Sequence, residues 1–246
     1  MMLAKLPKLL ALLADPRFWP ALAERVAPTV EHDRALRPFA FGAVIDVGAN
    51  KGQFAAYAAT RWPQAQLACF EPLPGPRNRL NAILRRYALG RSKVYEAACG
   101  AVAGEATMHV ATREDSSSLL PLGDRQKQMY AMDEATTLTV PVRRLDEQLV
   151  GEALPGPVLL KIDVQGFEHE VLEGAARLLP RVDKVYVEAS FVELYEGQRK
   201  ADEVEAFLRA AGFEKINAFN LSLGPDGAPV QADLLFTRAT DVRKAA

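Results

Sequence analysis

The feature that most restricts this chain is an alternation. Short apolar runs rich in branched residues recur, and stretches with helical spacing follow them. The runs are Val44 to Val47, Gln66 to Phe70, Lys93 to Cys99, Val158 to Ile162 and Lys184 to Val187. Runs of this length fit strands buried on both faces of a parallel sheet. Between them, Phe54, Ala58 and Trp62 share one face of a helix over Gln53 to Trp62, which Pro63 stops. Leu80, Ile83, Leu84 and Tyr87 make a stripe over Arg77 to Ala88. Phe167, Val171, Ala175 and Leu178 do the same over Phe167 to Leu179, and Asp202 to Ala211 is a last helix ended by Gly212. Strand and helix in this rhythm predict a doubly wound α/β sheet, mostly parallel. Two late extended runs, Phe213 to Phe219 and Asp233 to Thr237, flank the turn at Gly224 to Gly227 and predict an antiparallel edge pair.

The chain has 246 residues, which suits one domain over about 41–246 preceded by a helical extension over 1–40. An insertion at about 104–142 interrupts the rhythm. Glu105 to Ala111 and Leu138 to Val142 read as extended segments around a polar loop with Ser116, Ser117 and Ser118, pairing as extra strands or covering a site. The leader M-M-L-A-K-L-P-K-L-L-A-L-L-A-D-P is broken by Pro7 and Lys8. It reads as an amphipathic helix covering the domain rather than a signal segment, with contact to a membrane surface as the second reading. These helices also offer a surface for packing between subunits. No apolar run reaches the roughly 20 residues that a membrane span needs. Thirty basic residues against 31 acidic ones give no basic surplus, so nucleic acid is not an expected partner. Cys69 and Cys99 lie inside apolar runs and read as buried thiols of a cytoplasmic protein.

In doubly wound sheets, ligands sit beyond the carboxyl ends of the strands. That rule singles out Asp46 to Gly48, Glu71, Cys99-Gly100, Asp163 and Glu188. The first turn, Gly48-Ala49-Asn50-Lys51-Gly52, brings backbone close to a ligand. It lacks the middle glycine and the spacing of G-x-G-x-x-G, and no G-K-S/T follows, so neither standard phosphate cradle is present. A tight turn with no ligand is the plainer alternative. Glu71 closes the next strand, near the ~20-residue spacing at which an acid meets ribose hydroxyls. Glycine turn and ribose acid without a pyrophosphate fingerprint suit a nucleoside that carries no phosphate, such as S-adenosylmethionine. Asp46 then holds the glycine loop or meets the methionine ammonium.

V-I-D-V-G-A-N-K-G-Q-F, F-E-P, L-L-K-I-D-V-Q-G-F-E-H-E-V-L-E-G-A and V-E-A-S-F-V-E-L-Y-E-G-Q together resemble the FkbM family of methyltransferases, over roughly Ala43 to Arg238. The resemblance implies a Rossmann-like class I methyltransferase sheet, S-adenosylmethionine as cofactor, and O-methylation of a sugar, glycan or natural-product acceptor. It implies that Gly48, Asn50 and Gly52, with Ala49 and Phe54 beside them, line the methionine and ribose side. Glu71 and Pro72 would take the ribose hydroxyls, and Ala98 and Cys99 the adenine. Ser117 and Ser118, in a pattern resembling the family's S-S-L segment, would close over cofactor or acceptor.

Asp163 is the expected centre of the chemistry, also facing the cofactor. An alcohol is a poor nucleophile until its proton is taken, so a carboxylate base at Asp163 or Glu188 suits the reaction. Cofactor positioning without a proton role is the other reading of Asp163. Two carboxylates are too few to claim a metal site. Glu168 and Glu170 read as first-turn acids favoured by the helix dipole, and His169 as exposed or an acceptor contact. Lys161 and Lys184 receive no role. A nicotinamide oxidoreductase and a non-catalytic scaffold on the same fold are the competing functions.

Overall fold

The computed structural model describes residues 6–239. Its main sheet has seven strands in the order β3-β2-β1-β7-β8-β10-β9. They are β1 (Ala43–Val47), β2 (Gln66–Phe70), β3 (Ser92–Tyr95), β7 (Val158–Ile162), β8 (Lys184–Ser190), β9 (Phe213–Leu223) and β10 (Pro229–Arg238). Strands β3, β2, β1, β7 and β8 pair in parallel. Strand β10 is antiparallel to both β8 and β9, so it alone runs backwards. The expected sheet and its antiparallel edge pair are both present.

The central strands are apolar because both their faces are covered. All five positions of β1 and of β7 are buried. On one face Val44, Leu67 and Leu159 meet Phe54, Tyr57, Leu80 and Leu84 of α4 (Gln53–Arg61) and α5 (Pro74–Tyr87). On the other, Ile45, Leu160 and Val185 meet Val171, Leu172 and Leu208 of α8 (Glu168–Gly174) and α9 (Ala201–Ala210). Each Leu or Ile so buried contributes about 1.5–3 kcal/mol. The reversal in strand order falls between β1 and β7, where a crevice opens beyond their carboxyl ends.

Two expectations change, and the expected extra strands of the insertion are present with a helix added. The apolar run Lys93 to Cys99 is two strands: β3 leaves the main sheet at Tyr95, and β4 (Ala98–Cys99) joins a second sheet of order β4-β6-β5. The chain turns at Glu96-Ala97 so that Ala98 and Cys99 pair with Val142 and Arg143. The insertion is an antiparallel pair, β5 (Gly104–Ala111) with β6 (Glu134–Arg143), and between them lies α6 (Asp124–Tyr130), which has no apolar stripe to announce it. Helix α8 is shorter than its stripe predicts. It ends at Gly174, where a Cβ would lie 2.1 Å from the Gly100 carbonyl oxygen. A short α7 (Leu145–Gln148) links β6 to β7.

The extension forms α1 (Leu6–Ala14), α2 (Trp19–Ala23) and α3 (Asp33–Leu36). Residues 1–5 of the leader lie outside the described residues. Phe18, Ala21, Val26 and Leu36 are buried against the α4/α5 face. Helix α1 does not cover the domain as its pattern suggests: it buries Leu12 and leaves Leu9, Leu10 and Leu13 exposed. It runs along the mouth of the crevice, where Leu6, Leu9 and Leu12 form part of the wall.

Candidate active site

The turn after β1 is held in the left-handed region at three points: Gly48 (φ 78°), Asn50 (φ 47°) and Gly52 (φ 86°). At Gly48 the requirement is also steric, because a Cβ would lie 1.8 Å from the Asp163 carbonyl oxygen. The Gly48 and Ala49 amides donate to the Phe70 carbonyl at 3.1 and 3.0 Å. Asn50 tolerates its conformation because its Oδ1 accepts from the Lys51 amide at 2.7 Å. Gly52 faces away from the crevice and packs on Leu80 and Ile83. It seats the turn on α5, and Gly52 is absent from the cleft lining to which Gly48, Ala49 and Asn50 belong.

Glu71 fastens the same turn from β2. Its Oε2 accepts from the Asn50 amide and its Oε1 from the Leu73 amide, each at 2.8 Å. Burial pushes its pKa up to about 7, and the two amide donors pull against that rise. Each carboxyl oxygen keeps one lone pair for a ligand hydroxyl.

The carboxyl ends of β1, β7 and β8 carry a charged cluster. Lys161 of β7 stands beside Asp46 of β1, in register, with Nζ 3.2 Å from Asp46 Oδ1 and 3.5 Å from Asp163 Oδ2. Lys161 also donates to the Gly48 carbonyl at 3.4 Å. Burial works against its ammonium, yet Asp46 and Asp163 outweigh burial and raise its pKa. Asp46 is buried against the Lys161 ammonium, and loss of water raises its pKa against the pull of Lys161. It lies behind the turn rather than among the crevice-lining residues. Lys161, which the sequence left without a role, is the side chain that ties Asp46, Asp163 and the glycine turn together.

Gln165 sits between the two candidate bases. Its Nε2 lies 2.8 Å from Asp163 Oδ1 and 2.8 Å from Glu188 Oε2. Gln165 itself is held at φ 58°, followed by Gly166 at φ 99°. Strain of this kind persists where surrounding structure over-determines it. Loss of water and the neighbouring Asp163 push the Glu188 pKa well up, which favours its protonated form. Glu168 is not an exposed first-turn acid. It is buried, and its Oε1 accepts from the Val164 and Gly166 amides at 3.2 and 3.0 Å, closing the loop that presents Asp163. Its pKa is pushed up to about 7, chiefly by burial.

Gly48, Ala49, Asn50, Phe54, Glu71 and Pro72 line one wall of a single cleft of ≈ 1040 Å³. Asp163, Glu188, Ala98, Cys99 and Ser117 line the same cleft. Ala98 and Cys99 reach it from the second sheet, not from the end of a main-sheet strand. Ser118 is corrected: it is buried, its backbone pairs with His109, and its Oγ accepts from the Leu120 amide at 3.0 Å. His169 packs on Phe207 and stands outside the cleft.

Comparison with known proteins places this architecture. The model of the Methyltransferase FkbM domain matches residues 46–215. The 31-O-demethyl-FK506 methyltransferase FkbM of Streptomyces tacrolimicus is 30% identical over 208 residues, covering 75% of this chain and 76% of that one. The 2-O-methyltransferase NoeI of Sinorhizobium fredii is 30% identical over 162 residues, 63% of this chain and 66% of that protein. A match to the AMB antimetabolite synthetase AmbE of Pseudomonas aeruginosa is 33% identical over 200 residues, 70% of this chain and 9% of that protein. The chain thus spans less than two thirds of the length of NoeI and a small part of AmbE. It belongs to the FkbM methyltransferase family, and S-adenosylmethionine is the methyl donor such a domain takes. The nicotinamide alternative falls with that assignment. Among the described residues, no helix is long and apolar enough to cross a membrane.

The residues present fit that donor. A backbone turn that admits no Cβ at Gly48 lets a ligand lie against main chain. The Asp163 and Glu71 carboxyl groups in the cleft suit a cationic sulfonium and the hydroxyls of a ribose better than a pyrophosphate.

Proposed function

We propose that the protein is an O-methyltransferase acting on a hydroxyl of a small-molecule, sugar, glycan or natural-product acceptor. The observation that carries the reading is the Asp163 carboxyl, its side chain 36% exposed in a cleft whose neighbouring groups are buried and paired. The donor, when bound, supplies a methyl group on a sulfonium, open to in-line attack by an oxygen. Gly48, Ala49 and Asn50 hold it against main chain, and Glu71 takes hydroxyls of its ribose. Asp163 accepts the acceptor's hydroxyl proton at Oδ as the new O–C bond forms. Lys161 and Gln165 hold the Asp163 side chain in place for that transfer. Glu188, favouring its protonated form, leaves Asp163 as the proton acceptor. Holding acceptor and base together accounts for much of the acceleration, since proximity alone is worth about 7–11 kcal/mol in well-oriented systems.

The test compares Asp163→Asn with Glu188→Gln. Asp163→Asn lowers kcat for methyl transfer about 10²–10⁴-fold while S-adenosylhomocysteine affinity by calorimetry stays within a few-fold. Glu188→Gln keeps kcat within about tenfold, because the amide mimics the protonated acid. The reverse ranking moves the base to Glu188. If cells lacking the protein show no acceptor 14 Da lighter (one CH₂), and the purified protein transfers no methyl group, the scaffold reading replaces this one.

A further inference from the structure

Helix α1 is the nine-residue segment L-P-K-L-L-A-L-L-A, and Lys8 is its one polar side chain. It buries a single residue, Leu12. Leu6, Leu9, Leu10 and Leu13 recur at i, i+3, i+4 and i+7, and each is between 48% and 58% exposed. Trp19 extends the stripe. Its indole Nε1 donates to the Leu13 carbonyl at 3.2 Å, and its ring stays 53% exposed. A surface helix of a globular protein carries polar residues on its outward side, whereas a helix apolar on every side belongs in a core or in lipid. Nine residues rise only about 13 Å, too short to cross a bilayer, so contact with lipid has to lie in the plane of the interface.

The charge beside this stripe fits one kind of surface. Apart from Glu71 and the cluster at the strand ends, the cations lining the cleft are Lys8, Arg25, Lys51, Arg79 and Arg113. The acids there are Glu31 and Asp115, and both are engaged: Glu31 accepts from Lys8 at 2.9 Å, and Asp115 lies 3.6 Å from Arg113. Arg25 and Arg79 are exposed, and among the described residues neither has an ion-pair partner. Packing gathers these cations. Val26, beside Arg25, shares a small core cluster with Ile83, one turn along α5 from Arg79, and Gly52, beside Lys51, packs on Leu80 and Ile83. Five cations against two acids thus stand around the cleft, in a chain of net charge −1. Leu6 and Leu9 belong to the same rim. An anionic bilayer attracts a rim of that sign while its acyl boundary takes the leucines. A second copy of the chain fits worse. A two-fold interface sets the basic rim against itself, and one short helix with Trp19 falls well below the about 20–30 residues a side of a standard interface.

We propose that the mouth of the cleft docks on an anionic lipid surface. Helix α1 lies in the interface, with its leucine stripe and the Trp19 ring at the acyl boundary and Arg25 and Arg79 on lipid headgroups. Docked in this way, the cleft opens onto the bilayer. The contact does not rest on the methyl-transfer reading, because it uses none of the reacting groups.

Vesicle co-sedimentation of the full chain, with no methyl donor present, tests it. The probes are vesicles of phosphatidylcholine alone and of phosphatidylcholine mixed with phosphatidylglycerol. The wild type is expected to partition onto the anionic vesicles about tenfold better than onto the neutral ones, and to lose most of that preference at high salt. Leu10→Glu with Leu13→Glu, both outside the cleft, should weaken partitioning onto anionic vesicles by about tenfold or more. Arg25→Gln with Arg79→Gln should weaken it about tenfold and flatten its salt dependence. Circular-dichroism melts report folding, and Leu10→Ser with Leu13→Ser replaces the glutamate pair if that one does not fold. The proposal is overturned if the wild type stays in the supernatant with both vesicles, if it sediments equally with the two, or if the folded leucine variant sediments as the wild type does. It is also overturned if sedimentation velocity without vesicles shows a dimer that Leu10→Glu with Leu13→Glu dissolves, which would give the stripe to a second copy. Docking by a protein that transfers no methyl group sinks the methyl-transfer reading and leaves this surface standing, and methyl transfer without docking does the reverse.

Discussion

The two walls of the cleft are built by different means. The wall formed by the turn after β1 and by Glu71 is main chain held in unusual conformations, braced by the Glu71 carboxyl group, which itself accepts from two backbone amides. The wall formed by β4, β5, β6 and α6 is a side-chain surface carried on an insertion, with Ser117, Gln126 and Met132 lining the cleft. At Gly48 the first kind of wall has no room for an added atom. The second presents side chains to the cleft, so changes of size and polarity there need not move main chain. A cofactor common to a whole class of enzymes suits the first, and an acceptor that differs from enzyme to enzyme suits the second.

Substitutions can break or sharpen this contrast. The largest effect belongs to Gly48→Ala, where the added carbon meets the Asp163 carbonyl and the backbone must leave φ 78°. S-adenosylhomocysteine binding by calorimetry is expected to fall at least 100-fold, or the protein to fail to fold. Next comes Lys161→Met, which strands a buried Asp46 without its counter-charge. It should cost about 3–5 kcal/mol in denaturant melts, whereas Asp46→Leu with Lys161→Met recovers most of that loss. A double variant as unstable as the single one would mean that Lys161 acts through Asp163 and the turn instead.

The third prediction concerns pH. Glu168 has a folded pKa pushed from 4.5 to about 7, so the fold favours its protonated form. Its stabilising contribution is full below pH 4.5 and is lost as pH rises through about 7, amounting to about 3 kcal/mol at roughly 1.4 kcal/mol per unit. Both loop amides go to Oε1, which a glutamine retains. Glu168→Gln should therefore match the wild type in melts at pH 5 and exceed it at pH 8. Equal stability at pH 8 would show that the ionised carboxylate is better accommodated than its burial implies. The smallest effect is expected on the opposite wall: Met132→Ala should leave S-adenosylhomocysteine affinity within twofold, and a larger loss would blur the division between the walls.

The division also explains what could be read in the sequence. Strands β1 and β7 were legible because burial on both faces leaves runs that are apolar but for Asp46 and Lys161. The left-handed turn was legible because glycine and asparagine advertise it. Lys161 was not, since a lysine in a strand looks the same whether it points to water or to a buried acid. Only the pairing of Asp46 with Lys161 across two strands far apart in sequence distinguishes them. Glu168 misled for a related reason: a dipole-favoured surface acid and a buried loop clasp occupy the same position in a helix's first turn. The break between β3 and β4 is silent because Ala97, Ala98 and Cys99 continue an apolar run while changing sheets. Gln126 and Tyr195 meet only once the insertion is folded over the loop after β8.

The junction between β4 and β6 is two residue pairs long, Ala98 with Val142 and Cys99 with Arg143. Through it the inserted hairpin plugs into the rest of the molecule much as a tool head sits in a standard socket, with a second latch where Leu122 and Gly123 meet Tyr195 and Leu194 in the loop after β8. Such a fitting lets the working end be lengthened, shortened or replaced while the grip on the nucleoside stays in register. A graft that cuts the chain just beyond Gly100, rejoins it at Val142 and keeps the pairing to Tyr195 would exchange the whole working end in one piece.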